Sequence, residues 1–449
     1  MDMERLDNRS IRNQIFKLAI PAIMEMTLHT LVWTADTAMV GRLNPASISA
    51  VNLGSQIMFT ISNIFGALGI GATAMVSRQI GAQNMEEAEN IAAQAIGIGF
   101  IISIIIGLTG IISANGVFNL IVDDPEVIAL GSSYLRIVFI GAFFLIPQFI
   151  ANAILRGAGN TVIPLVSAAF ANAFNIIGDY VLIFGKFGFP ELGVNGAAIA
   201  TGAAQILGAS ITFFFLLRGK SGIKLHISKV FRLNRNITRS IVNLSVPATL
   251  ETFMNEGSRL LSSFWIAQLG TISFAAHSLA NAAESISYMP GYGFSVAVTT
   301  MVGQSLGAKN LKRAEESTKK ALIYSIWLMG LIAFAFIAIP FGIMRLFSND
   351  IETVSLASKC LRVGAVEQIP IAIGMTLSGA LKGAGDTRGP FKISLITNLA
   401  VRLPLIFIIV FILKWNVVFV WWATAIQFIV EATLMTIRYR RGRWKSIEI

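Results

Sequence analysis

The sequence predicts an all-α integral membrane protein in which twelve transmembrane helices form two parallel six-helix lobes. Three observations predict it. The 449 residues are 55% hydrophobic and only 13% charged, with a mean hydropathy of +0.70, far from the balance of a water-soluble domain. Apolar runs of the roughly 20 residues needed to cross a bilayer recur along the whole chain. The second half also repeats the first at a constant offset of 226 residues, as Pro21 to Pro247.

The runs can be taken in order. The first, 13–40, follows a polar segment with Arg5, Arg9 and Arg12 and lacks a small-residue cleavage site, so it is expected to stay as a helix. It carries Pro21, Glu25, His29 and Asp36. Runs 48–75 and 89–113 are rich in glycine, including Gly66, Gly69, Gly71, Gly97 and Gly99, which lets helices approach closely. Runs 129–151, 161–184 and 194–217 complete the first lobe, 1–217. A basic connector, 218–240, leads to the second lobe, 241–449, with runs at 241–267, 271–301, 315–339, 357–379, 388–412 and 418–438. Pro147, Pro247, Pro290 and Pro370 fall inside runs and predict kinks.

A net charge of +11 suits a nucleic-acid partner until the cations are placed. Of 35 Lys and Arg, 26 lie at the two ends of the chain and in every second loop. That is the positive-inside pattern: it predicts both termini in the cytoplasm and excludes a nucleic-acid function. Anionic headgroups are the expected neighbours of the connector. Cys360 is the single cysteine, so neither an internal disulfide nor a cysteine metal cluster is expected.

The repeat is carried by residues that apolar composition does not supply by chance. "LRGAGNTVIP" (155–164) aligns with "LKGAGDTRGP" (381–390), and "IGAQNMEEAE" (80–89) with "LGAKNLKRAE" (306–315). Glu25 aligns with Glu251, Asp124 with Asp350, Arg136 with Arg362 and Asn172 with Asn398. Six helices per half give both halves one orientation, as in transporters whose lobes are related by an axis along the membrane normal.

Polar residues within the spans fall on helical faces. Glu25, His29 and Asp36 sit at i, i+4 and i+11 on the first helix, within about 20° of one line. Asn172, Asn175 and Asp179 sit at i, i+3 and i+7 on the fifth. A carboxylate facing lipid is costly, so both stripes are expected to face the interior of the first lobe. If they meet, Asp36 and Asp179 form a pair in which desolvation and mutual repulsion favour a shared proton, or a hard cation such as Na⁺ with Asn175 among its oxygen ligands. Asp36 aligns with Ser262 and Asp179 with Leu405, so the second lobe lacks the pair. Tyr134 and Asn152, five turns apart on the fourth helix, are candidates to extend the network. In the second lobe Glu256 precedes Arg259 by three residues, the spacing of an internal ion pair. His277, Asn281, Glu284 and Tyr288 form a further stripe, in which Glu284 is a candidate cavity residue or an interhelix hydrogen-bonding group.

Taken with "PAIMEMTLHTLVWTADTAMVGRL" (21–43), "SRQIGAQNMEEAE" (77–89), "NIIGDYVLIFG" (175–185), "GVNGAAIAT" (193–201) and "LGTISFAAHSLA" (269–280), the chain resembles the multidrug and toxic compound extrusion (MATE) family over its whole length. The resemblance implies a V-shaped cleft between the lobes and antiport of amphipathic, often cationic compounds against H⁺ or Na⁺, by a cofactor-free monomer of the inner or plasma membrane. It assigns Asp36, Asn175 and Asp179 to a first-lobe cation site, with Thr201 and the backbone of Ala197, and Tyr134 and Asn152 to the same network. Some branches carry an acid on the seventh helix eight residues after the proline; here that position is Asn255, with Glu256 beside it, and Glu367 is out of register with the matching acid of the tenth helix. The resemblance is therefore to branches that couple through the first lobe, with Asn255 and Glu256 left as candidate cavity residues.

Two other classes compete. A lipid-linked oligosaccharide flippase of the same superfamily would carry more basic residues in its cavity. An intramembrane aspartyl protease would use "GAGD" (383–386), but Asp386 lies at a helix edge and no Tyr-Asp partner occurs in a span. A fixed channel does not need a lopsided titratable pair.

Overall fold

Every apolar run of the sequence is helical. The computed structural model describes residues 2–219, 222–232 and 234–449, with side chains outside 2–9 and Trp33; Lys220, Ser221 and Leu233 of the connector and the side chains of Arg5 and Arg9 lie outside the described residues. The first repeat contains α1 (Asp2–Val40), α2 (Pro45–Gly81), α3 (Met85–Ile121), α4 (Pro125–Gly157), α5 (Val162–Ile183) and α6 (Gly193–Arg218). The second contains α7 (Arg235–Ala267), α8 (Thr271–Gly307), α9 (Leu311–Ala338), α10 (Ile351–Gly383), α11 (Arg388–Leu413) and α12 (Val417–Arg440). Ten are long and apolar enough to cross a membrane. The other two, α7 and α8, have 33 and 37 residues, and the polar groups they carry, Glu251, Glu256 and Arg259 on one and His277 and Glu284 on the other, lower their average without shortening them. No strand occurs among the described residues.

The repeat holds at the level of single bonds. Asn84 caps α3 by accepting from the Glu87 N–H at 3.3 Å, and Asn310 caps α9 by accepting from the Arg313 N–H at 3.0 Å. Asp124 and Asp350 cap α4 and α10 in the same way, through the Glu126 N–H at 2.9 Å and the Thr353 N–H at 3.0 Å. Between helices, the Thr73 hydroxyl donates to the Ala153 carbonyl at 2.8 Å, and that of Thr299 to the Gly379 carbonyl at 2.9 Å. Beside these bonds the backbones nearly touch: a Cβ on Gly157 would meet the Thr73 carbonyl oxygen at 2.9 Å, and one on Gly383 the Thr299 oxygen at 2.3 Å. Only glycine permits that approach.

One helix departs from its mate. Residues Thr397–Arg402 and Ile408–Leu413 of α11 are π-helical, flanking the short α-helical stretch Leu403–Phe407, whereas α5 is regular. Pro404 lacks an N–H and excludes the normal bond one turn back, so the wider turns re-route the ladder around it. Its position in α5 is taken by Gly178.

Contacts divide the chain into two compact units. One comprises Met24–Ile80 and Asn84–Asn243; the other comprises Met1–Ile23, Gly81–Gln83 and Leu244–Ile449. Each is centred on the helix with two-thirds of its apolar window buried, α4 in the first and α10 in the second. The first turns of α1 thus belong with the second repeat, where Ile11, Ile15, Leu18 and Ala19 pack against Phe294, Ala297, Val298 and Met301. The start of α7, up to Asn243, belongs with the first. In both helices the change of unit falls within a few residues of the matched proline, Pro21 or Pro247.

Candidate functional site

The period of α1 carries Asp36 to the interior of the first unit, and that of α5 carries Asp179 there. Asp179 is fully buried, and the two carboxyl groups lie within hydrogen-bonding reach of each other. Asp36 Oδ1 and both Asp179 oxygens are buried without a protein donor. Two unit charges about 4 Å apart repel by roughly 4 kcal/mol at an effective dielectric of about 20. A doubly ionised pair therefore needs a cation, and a singly ionised one a shared proton.

Around the pair the polar groups are few. Asn175, one turn before Asp179 on α5, is 4% exposed and donates from Nδ2 to Thr201 Oγ1 of α6 at 3.4 Å. Tyr134 of α4 shares a 2.9 Å hydrogen bond with Ser55 of α2 and interacts electrostatically with both Asp36 and Asp179. Ser55 was not among the expected residues; as one of several serines on α2 it carries no pattern that marks it. Ala197, Tyr134, Val40, Met58 and Val138 belong to one apolar cluster. The structure thus brings together Asp36, Asp179, Asn175, Thr201 and Tyr134, with Ala197 in the apolar cluster that contains Tyr134.

Asn152 lies elsewhere. It accepts from Thr212 Oγ1 at 3.2 Å, in a fully buried network that continues through Ser167 to Gln148 and the Gly208 carbonyl. Eighteen residues along a helix amount to about 27 Å, so a shared face with Tyr134 does not make a shared site.

The second unit holds different polar chemistry. Glu256 is paired with Arg259 at 2.7 Å. Asn255 is exposed and accepts from Ser394 Oγ at 2.7 Å and Asn398 Nδ2 at 2.8 Å, both on α11. Glu284 of α8 is 8% exposed and in hydrogen-bonding contact with Glu367 of α10, which accepts from Thr424 Oγ1 at 2.8 Å. Arg402, at the end of the first π-helical stretch, is the cation within electrostatic range of both acids. No sequence spacing links these three residues, because three different helices supply them. Among the described residues no group of three or more His, Cys, Asp or Glu is arranged to hold a metal ion.

The MatE family model matches residues 21–181 and again 247–408, so each match begins at the matched proline of a repeat. A probable multidrug resistance protein NorM of Thermotoga maritima is 29% identical over 448 residues, covering 97% of this chain and 94% of its own length. An uncharacterized transporter, YisQ, of Bacillus subtilis is 24% identical over 96% of this chain and 94% of its own. A solved structure described as an outward-facing conformation of a multidrug resistance MATE family transporter superposes with a TM-score of 0.89 at 22% identity, covering 97% of both chains. With two family matches in register on the duplicated helices, this chain belongs to the MatE family of membrane transporters.

Proposed function

We propose that this chain is a secondary active exporter of the cell membrane, extruding amphipathic, often cationic compounds by alternating access in exchange for H⁺ or Na⁺ carried at Asp36 and Asp179. The observation that carries the coupling assignment is the contact between these carboxyls, with three donorless oxygens, at positions where the second repeat has Ser262 and Leu405. The multidrug description of the relatives supports the substrate class.

In this reading a proton is shared by the two carboxyls, or Na⁺ is ligated by them with the Asn175 and Thr201 oxygens and the Ala197 carbonyl. Loading removes one of the pair's two negative charges and unloading restores it in low dielectric, so the two states favour different packing of α1 against α5. Residues 1–217 and 241–449 act as the two halves, joined by 218–240, with both termini cytoplasmic, membrane lipids around the helices and the chain working as a monomer. Asn255 and Glu256 are assigned to the cavity of the second half, with Glu284 buried beside it.

The test is efflux of a fluorescent cationic dye from proteoliposomes under an imposed pH gradient or an imposed Na⁺ gradient. Efflux driven by one gradient and dissipated by the matching ionophore identifies the ion. Dye movement indifferent to both gradients would overturn the antiport reading.

A further inference from the structure

The connector between the repeats is a firmly docked surface. The Lys224 N–H donates to Glu89 Oε1 at 3.1 Å, His226 Nε2 lies 3.1 Å from Glu89 Oε2, Lys229 Nζ donates to Asn90 Oδ1 at 2.7 Å, and the Asn234 N–H donates to Gln94 Oε1 at 2.9 Å. These three side chains lie along the start of α3. Inward, Ile223, Leu225 and Val230 are buried, at 2%, 5% and 4% exposure. Outward, Ile227 and Phe231 are 65% and 69% exposed beside a run of cations.

The charge is unbalanced. Between Glu191 and Glu251 the sequence has seven Lys and Arg and no acid. Glu89 is engaged by the connector backbone and His226. Arg232, Arg235 and Arg239 are exposed and form no ion pair among the described residues. At the start of α7, Arg235, Thr238, Arg239 and Val242 line a pocket of about 580 Å³. They stand at i, i+3, i+4 and i+7, one helical face. From Arg235 to Val242 the helix rises about 10 Å, so the two arginines and the exposed apolar side chain of Val242 follow one another along one side of the pocket.

We propose that this pocket binds an anionic phospholipid: Arg235 and Arg239 hold the phosphate, Val242 meets the start of an acyl chain, and Phe231 and Ile227 seat the connector at the headgroup level. Unpaired arginines beside exposed apolar side chains, at the point where a helix enters its apolar course, match the two-part chemistry of a lipid. A free phosphate uses only the arginines. A soluble acidic partner leaves Phe231 and Ile227 in water.

The full-length protein is placed in nanodiscs of phosphatidylcholine with graded phosphatidylglycerol, and co-purifying lipid is counted by native mass spectrometry. The wild type is expected to retain phosphatidylglycerol over phosphatidylcholine. The double variant Arg235→Gln/Arg239→Gln is expected to weaken that retention about thirtyfold, because each basic residue at an anionic surface is worth about fivefold. Arg235→Lys/Arg239→Lys keeps most of it, and Val242→Asp loses it with both arginines intact. Since these side chains are exposed, unchanged thermal unfolding in detergent identifies folded variants. Equal retention by wild type and the Gln variant, or competition by millimolar inorganic phosphate as effective as by the lipid, overturns the proposal. Dye efflux in pure phosphatidylcholine liposomes tests the transport reading separately, since no anionic lipid is present there.

Discussion

Glu25 on α1 and Arg156 at the end of α4 form a 2.7 Å ion pair, and 226 residues later Glu251 and Lys382 form its counterpart at 2.8 Å. Both acids are buried, at 3% and 7% exposure, and each pair ties the first helix of a repeat to its central fourth helix. Each glutamate also has one oxygen, Oε2, with no partner. Each acid is therefore held by its cation through one oxygen in a low-dielectric setting, and removing the cation strands the acid.

Arg156→Ala and Lys382→Ala are each expected to destabilise the protein by about 3–5 kcal/mol, the usual cost of an uncompensated buried charge. The exchanges Arg156→Lys and Lys382→Arg are expected to cost far less, because the two repeats already use either cation at this place. Thermal unfolding in detergent, monitored by a fluorescent size-exclusion assay, checks both halves of the statement. Equal losses for Ala and for the cation exchange would contradict it.

Thr73→Val and Thr299→Val each remove one interhelix hydrogen bond without changing shape, at an expected cost of about 1 kcal/mol apiece. The two bonds belong to different compact units, so the double variant should show the sum. Gly383→Ala is expected to be worse than Gly157→Ala, since its Cβ would reach a carbonyl oxygen at 2.3 Å rather than 2.9 Å. The same unfolding assay ranks all four.

These bonds also explain why so much of the fold could be read in advance. The duplication was legible because Asn84 and Asn310, Asp124 and Asp350, or Gly157 and Gly383 are residues whose backbone or capping duties admit few substitutes. The meeting of Asp36 with Asp179 followed from two helical faces that lipid would not tolerate. What stayed hidden was depth and partnership. Tyr134 and Asn152 share a face of α4 yet join separate networks, because periodicity fixes azimuth and not height. Glu284, Glu367 and Arg402 meet across three helices, and the π-helical turns that carry Arg402 arise from Pro404, whose mate is Gly178.

Asp36→Asn is expected to leave insertion and folding intact, since Asp36 Oδ1 accepts no protein hydrogen bond that the amide would break. Gradient-driven dye efflux is expected to fall to background. Asp179→Asn should behave alike, and neither variant should lower the unfolding temperature, because each removes a like-charge contact. Full coupled efflux by either variant would remove the carboxyl pair from the coupling step.

The acid pair of the second unit supplies the contrasting case. Glu284 and Glu367 are in contact as Asp36 and Asp179 are, but Arg402 lies within electrostatic range and Thr424 donates to Glu367 at 2.8 Å. Arg259, itself paired with Glu256, is also in range of Glu284, so these acids meet fixed cations of the protein and hold α8, α10 and α11 together without needing an exchangeable one. Glu284→Gln/Glu367→Leu removes both charges and leaves Arg402 alone, with an expected loss of about 3–5 kcal/mol, whereas Glu367→Gln keeps one acid against the arginine and should cost under about 1 kcal/mol. Glu367→Gln is also expected to retain efflux within about threefold of wild type under the gradient that Asp36→Asn no longer uses, a difference of under about 1 kcal/mol in the transport step. Loss of coupling in Glu367→Gln with normal stability would instead make the second lobe a partner in ion exchange.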